Sequence, residues 1–332
     1  MSVNGAALAL IATLISGTLV APIAAGTQSG AKAPRIGVFF ASNPTATARN
    51  NDAFTQGLRE RGYVEGQHIV LERRYGEGRA ERMAEIAAEL VRMKVDVIVA
   101  VSDQPIAVVK RQTQSIPIVM VNSTDPVGTG FVASLARPGG NVTGLSLMAP
   151  ELGGKRLELL REAVPHLSRV AVIWSPDVRG AVLEYKEMEG PARSLRLQLQ
   201  SVEVSHADDF ARAFSAITDA RAEAVVVISQ GPLMFANRSQ IVSLAQKNRL
   251  VSMYGQQDYA DAGGVMAYGT TAAEGWRRAA TYVDKILKGA KPGDLPVEQP
   301  TKFDLVINLS AARALGLTIP PSLLRRADRV IQ

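Results

Sequence analysis

Short, continuously apolar runs alternate along this chain with stretches in which apolar residues recur every three or four positions. The runs "RIGVFF" (35–40), "HIVLERRY" (68–75), "VDVIVAV" (95–101) and "IPIVMV" (116–121) predict strands. Strands that are apolar throughout, separated by amphipathic helices, imply a parallel sheet covered on both faces. Helical spacing is predicted over 47–62, over 79–93 and after Pro105. In the second of these Met83, Ile86, Ala87, Leu90 and Val91 share one face. The later half repeats the scheme with "RVAVIW" (169–174), "LQLQSVEV" (197–204), "AVVVIS" (224–229) and "RLVSMY" (249–254). Its helices are expected within 178–195, after Asp208 as N-cap with Phe210, Ala213, Phe214 and Ile217 buried, and within 233–247.

The two halves match in detail. "VIVAVSDQP" (97–105) and "VVVISQGP" (225–232) each have an acid at the start of the run, Asp96 or Glu223, end their apolar run at a serine, Ser102 or Ser229, and reach a proline three residues later. "GGNVTGLS" (139–146) corresponds to "GGVMAYG" (263–269), each a Gly-Gly turn feeding a short strand. A length of 332 residues also exceeds what one core comfortably holds. The fold class is therefore α/β, with two Rossmann-like lobes built on parallel sheets. In the tail, "AAEGWRRAATYVDKILKG" places Trp276, Ala280, Val283, Ile286 and Leu287 on one side and ends at Gly289 as a C-cap. The Pro-rich "AKPGDLPVEQP" then suits a connection between lobes. A short strand, "FDLVINL", and a helix follow. The expected division is 34–146 plus about 272–296 for one lobe and 147–271 plus about 300–332 for the other, joined by several hinge strands.

Composition narrows the function classes. The net charge of +6 comes from basic residues scattered among acids, as in "RAERMAEIAAELVRMK", so nucleic acid is not an expected partner. Cysteine is absent, which removes disulfides, thiol nucleophiles, Cys-based metal sites and the lipid-acceptor Cys of an exported lipoprotein. Residues 1–30 carry no charge and are largely apolar, and "APIAAG" supplies small residues after them. This segment is expected to be a signal peptide cut near Ala25, although no Lys or Arg precedes its apolar part. An exported, untethered chain points to the periplasm.

Ligands of parallel α/β sheets gather at the carboxyl ends of the strands. Those ends read Ser42-Asn43, Ser102-Asp103-Gln104, Asn122-Ser123, Ser146, Trp174-Ser175, Ser229-Gln230 and Tyr254-Gly255-Gln256. Any one of these polar residues also suits an ordinary helix N-cap. As a symmetric set they predict a polar cleft between facing lobes, each lobe supplying one jaw. Trp174 fits core and cleft equally, whereas Tyr254 and Tyr268 suit a pocket wall. Asp103, Asp125 and Asp258 are candidate cleft acids. No catalytic or metal-ligating constellation is read. His68, His166 and His206 lack ligand spacing and are expected at the surface. "GGKR" (153–156) lacks the rest of a phosphate loop, and "GLSLM" lacks the final Gly of a nucleophile elbow. No enzyme activity and no cofactor are expected.

The segments "IPIVMVNSTDPVGTGFVASLARPGGNVTGLS", "LGGKRLELLREAVP" and the tail from "AATYVDKILKG" to "RRADRVI" closely resemble the ABC-transporter substrate-binding protein family, of type I periplasmic-binding fold. The resemblance implies two lobes on a three-stranded hinge, closing on a small-molecule ligand and delivering it to an ABC permease in the inner membrane, as a monomer. Some members resemble aromatic amino-acid binders. Carried over by position, it implies that Ser102 to Gln104 and Asn122-Ser123 hold a carboxylate, and that Trp174-Ser175, Ser229-Gln230 and Tyr254 complete the enclosure. "SDQP" replaces a Gly-Thr-Pro-like loop and "WSPD" an Asn-Pro pair, so Asp103 is expected to meet an ammonium or hydroxyl instead. The same fold also serves as a sensor presented to a membrane kinase or chemoreceptor, and this alternative stays open.

Overall fold

The apolar runs assemble into two sheets. The structure, a computed structural model, describes residues 32–147, 152–270 and 272–332. The expected signal peptide, with its cut near Ala25, lies outside the described residues. In the first lobe the chain runs through β1 (Arg35–Phe40), α1 (Pro44–Arg59), β2 (Val70–Tyr75), α2 (Ala80–Arg92), β3 (Val97–Val101), α3 (Asp103–Gln112), β4 (Ile118–Ser123) and β5 (Val142–Ser146). These strands form a five-stranded sheet in the order β2-β1-β3-β4-β5, with every pair parallel. The central strands are apolar at successive positions because helices cover both faces: Val97, Ile98, Val99 and Ala100 are all fully buried.

The second lobe continues with α4 (Leu152–Ala163), β6 (Arg169–Trp174), α5 (Arg179–Ser194), β7 (Gln198–Glu203), α6 (Asp209–Asp219), β8 (Ala224–Val227), α7 (Pro232–Ala236), α8 (Arg238–Lys247), β9 (Val251–Tyr254), α9 (Gln257–Asp261) and β10 (Met266–Gly269). After these, α10 (Ala272–Leu287) returns to the first sheet. There it packs along α1, burying Trp276, Ala280, Val283 and Ile286 against Phe40, Phe54 and Leu58. Each such large apolar side chain contributes roughly 1.5–3 kcal/mol when fully buried. The last elements, β11 (Asp304–Asn308), α11 (Leu309–Ala314), α12 (Pro321–Arg326) and β12 (Arg329–Ile331), complete a seven-stranded sheet in the order β12-β11-β10-β9-β8-β6-β7. The chain thus passes between the sheets three times. On the third pass Glu298 lies beside β5, with Ser146 N donating to Glu298 O at 2.9 Å and Glu298 N to Gly144 O at 3.0 Å. Ala33–Gln332 form one compact unit.

Several local expectations need correction. The second sheet is not wholly parallel, because β11 pairs antiparallel with β10. Asp208 stands at the N-cap position of α6, but its side chain makes no cap bond; instead Asp209 accepts from Ser205 N and His206 N at 3.1 and 2.9 Å. α1 begins earlier than expected, at Pro44, with Asn43 accepting from Ala46 N at 2.9 Å. α3 begins at Asp103, so Pro105 sits within its first turn rather than opening it. The predicted helix over 233–247 divides at Asn237 into α7 and α8. Gly289 does end α10 at φ 97°, and Phe210, Ala213, Phe214 and Ile217 are buried as read. His68, His166 and His206 are exposed. Among the described residues no helix is long and apolar enough to cross a membrane.

Candidate functional site

The two matching loops make the same backbone turn. Ser102, between β3 and α3, has φ 71° and ψ 163°; Gly231, between β8 and α7, has φ 86° and ψ 160°. This conformation is essentially confined to glycine, because a Cβ crowds the neighbouring peptide groups there. The second lobe uses the residue that the geometry favours. The first holds a serine in it, a strain of about 1–3 kcal/mol. The structural counterpart of Ser102 is therefore Gly231, not the Ser229 that sequence matching pairs with it.

Both turns line one cavity of about 440 Å³ between the lobes. The first lobe contributes Ser42 from the end of β1, Ser102, Asp103 and Gln104 from the β3–α3 turn, and Asn122 and Thr124 from the end of β4. The second contributes Arg179, Ser229, Gln230 and Gln256 from the loops after β6, β8 and β9. Phe40, Phe131 and Phe235 form apolar parts of the wall. Ser102 Oγ, Gln230 Oε1 and Gln256 Oε1 are buried without a hydrogen-bond partner in the protein. Native structures rarely leave such atoms orphaned, since each costs about 1–3 kcal/mol.

The lobes meet at the rim. A Cβ added to Gly180, at the start of α5, would overlap Gln230 Oε1 and the Thr124 side chain of the opposite lobe. Only a glycine permits this approach. Arg179 stands 3.8 Å from Asp125 across the same seam, and Arg49 stands 3.2 Å from Asp261. Pairs this exposed contribute at most about 1 kcal/mol each.

Two acids support the wall, Asp103 half-buried and Glu184 buried. Asp103 accepts from Ser123 Oγ at 2.7 Å, from Thr124 Oγ1 at 2.6 Å and from Thr124 N at 3.3 Å. Burial pushes its carboxyl up from the ordinary range, outweighing those bonds, and nearby Asp125 adds to the shift. Its oxygens are largely engaged within the protein, so it organises the loop after β4 rather than standing free for an ammonium. Glu184 on α5 is bonded to Arg156 of α4 and accepts from Gln230 Nε2 at 2.6 Å. Burial pushes Glu184 up as well, against the opposing pull of Arg156 and Gln230.

Of the sequence-predicted residues, the cavity brings together Ser42, Ser102, Asp103, Gln104, Asn122, Ser229 and Gln230. The others serve elsewhere. Asn43 is the exposed cap of α1. Ser123 is buried beneath Asp103. Ser146 lines a separate cavity of about 460 Å³ beside the connecting segments, where Asn122 also reaches. Trp174 stacks on Tyr185 at 5.2 Å and donates Nε1 to Ser201 at 2.9 Å, and Ser175 is buried beside it. Tyr254 is wholly buried, stacked on Tyr259 at 4.7 Å, so it is a core residue and not a wall. Tyr268 packs on Phe303, outside the cavity. Asp125 caps its own turn through Gly128 N at 2.8 Å, and Asp258 does not line the cavity. Ser229, though lining, also ties β8 to β9 by accepting from Gly255 N at 3.0 Å. Reading strand ends reached Gln256 but missed Phe131, Phe235 and Arg179. The one available signal was Phe235, three residues past the second proline.

Known proteins give this geometry a context. The family model for ABC transporter substrate binding protein matches residues 36–331. A curated relative, a tyrosine-binding protein of Clostridioides difficile, is 24% identical over 264 residues, covering 80% of this chain and 75% of that protein. A solved ABC domain in complex with L-Trp from Streptococcus pneumonia is 25% identical with a TM-score of 0.84, covering 90% of this chain and all 100% of that one. A conserved domain protein from Vibrio cholerae is 27% identical, again at a TM-score of 0.84 and with the same 90% and 100% coverage. That family is one of solute-binding proteins rather than enzymes. With two α/β lobes enclosing one cavity and a family match running from β1 to β12, the chain belongs to the ABC transporter substrate-binding protein family.

Proposed function

We propose that the protein is the periplasmic solute-binding component of an ABC importer and that it closes on an amino acid or aromatic carboxylate. The observation that carries this reading is the cavity wall, where Phe40, Phe131 and Phe235 accompany the unpartnered Ser102 Oγ, Gln230 Oε1 and Gln256 Oε1. Phenyl walls suit a ring, and the polar atoms suit the charged end of the same small molecule. The first turn of α3 and the Ser102 hydroxyl offer donors to a carboxylate, with Arg179 facing them from the other lobe. The relatives that bind tyrosine and carry L-Trp support an aromatic ligand. The lobes, 34–146 with about 272–296 and 147–271 with about 300–332, move as units about their connecting segments. Ligand contacts made by both lobes stabilise only the closed form, so binding shifts an open–closed equilibrium that the inner-membrane permease reads.

The test is a thermal-shift series with L-tryptophan, L-tyrosine, L-phenylalanine, aromatic acids and sugars, followed by calorimetry on the hits. A ligand at 100 times its dissociation constant adds about 2.7 kcal/mol to stability. At roughly 2–4 °C per kcal/mol, this is a readily measured rise in melting temperature. A rise with sugars alone overturns the aromatic reading, and loss of uptake in cells lacking the protein tests the importer role.

A further inference from the structure

Behind the cavity wall lies an ion pair that ligand contact alone does not explain. Arg156 and Glu184 are 2% and 1% exposed and bonded to each other, and Arg156 Nε donates to the Tyr268 carbonyl at 2.9 Å. Buried pairs of this kind are seldom a net source of stability, because desolvation offsets their attraction. What this pair does is hold Gln230. Glu184 receives Gln230 Nε2 at 2.6 Å, and a carboxylate facing a guanidinium only accepts hydrogen bonds. The amide nitrogen must therefore face Glu184, and the oxygen must face away from it. That oxygen is buried and has no donor. The Thr124 hydroxyl faces the same notch beside Gly180, but its proton is committed to Asp103 Oδ2 at 2.6 Å. Gln256 leaves a second buried amide oxygen unpartnered, and both glutamines line the cavity.

We propose that Arg156 and Glu184 are positioning residues that lock Gln230 as a hydrogen-bond acceptor, so that the second lobe selects ligands carrying an N–H donor. The inference rests on the ligand reading above and sharpens it. It selects the amino acid, whose α-ammonium supplies the donor, over the aromatic carboxylate that lacks one.

Calorimetry on matched pairs tests this: L-tryptophan against indole-3-propionate, L-tyrosine against 3-(4-hydroxyphenyl)propionate, and L-phenylalanine against 3-phenylpropionate. The wild-type protein is expected to favour the amino acid of a bound pair by about 10- to 100-fold. Gln230→Met, which keeps the side chain's length without its amide, should bring the pair within about threefold. Arg156→Met combined with Glu184→Gln leaves no lone charge, frees the amide to turn and should lower the same preference. If that double variant does not fold, Gln230→Met carries the comparison. Equal wild-type affinity for both members, or a preference that survives Gln230→Met, overturns the inference and leaves the aromatic reading standing. If no pair binds, the aromatic reading fails, and the lock is then read directly by NMR of protein labelled with ¹⁵N-glutamine. The side-chain amide signal missing from Gln230→Met should be protected from exchange in the wild type, and an unprotected signal overturns the inference without any ligand.

Discussion

Replacing Ser102 with glycine separates two roles that this position combines. The residue sits at φ 71° and ψ 163°, where glycine is at ease and serine is strained by about 1–3 kcal/mol. Its buried Oγ has no partner in the protein, so removing it relieves a further cost of about 1 kcal/mol, the low end for an unsatisfied polar group. Glycine gives back roughly 0.4–1 kcal/mol through the greater freedom of the unfolded chain. The balance is a stabilisation of about 2 kcal/mol, a rise of roughly 4–8 °C in melting temperature for the ligand-free protein. Ser102→Ala loses the hydroxyl but keeps the strain, so it should rise by only about 2–4 °C. Ligand affinity should move the other way, falling about two- to tenfold in both variants because each lacks the same hydrogen bond. Scanning calorimetry supplies the first readout and isothermal titration the second. Equal melting temperatures for the two variants would remove the strain from the account. An unchanged affinity would remove the hydroxyl from the binding site.

The remaining predictions bear on the seam, the half-buried acid and the core aromatics. Gly180→Ala should weaken ligand binding by about tenfold or more, since the added methyl overlaps the opposite lobe's Thr124 when the lobes are shut and displaces Gln230 Oε1 of its own lobe; small-angle scattering should show the variant more open at saturating ligand. Asp103 has a folded-state pKa above its unfolded one, so its contribution is present in acid, below about pH 4, and is lost as pH rises through the folded value. The stability of Asp103→Asn relative to wild type should therefore increase from about pH 4 upward and then level off, and a constant difference across that range would contradict the cost of burying the carboxylate. Trp174→Phe should lose about 1 kcal/mol with the Nε1 bond to Ser201, yet leave ligand affinity unchanged; a weakened affinity would return Trp174 to the cleft.

The fold was legible because its signals are local. A strand covered on both faces has to be apolar at every position, and that requirement is written in "VIVAV" and "AVVV" without reference to any partner. The helix at the tail announced its buried face through the spacing of Trp276, Ala280, Val283 and Ile286. Strand direction was less legible: β11 carries the same apolar pattern that a parallel strand would, and only the chain's return from the first sheet sets it antiparallel to β10. Capping failed at Asp208 because two adjacent aspartates offer the same chemistry, and local backbone geometry chooses the second.

The site was legible in part, for a reason that the two turns make plain. A polar residue at a strand end announces a junction, but whether its side chain enters the cavity, caps a helix or supports a neighbour is decided by backbone rotation over one or two residues. Ser229 matches Ser102 in sequence, yet the turn itself falls two positions later, at Gly231, so one serine occupies the strained corner and the other ties two strands together. Tyr254 and Trp174 point back into their lobe, where they stack on Tyr259 and Tyr185. Two of the three aromatics that face the cavity come from places no strand-end rule reaches, Phe131 from a loop and Phe235 from α7, whereas Phe40 ends β1. The duplicated pattern thus located the cleft, whereas the asymmetry between the halves sets its chemistry. One lobe offers a strained serine and the first turn of α3, and the other offers amide oxygens. Under the proposed function, two lobes unlike in this way would fix the orientation of an amino acid between them, which identical jaws would leave undetermined.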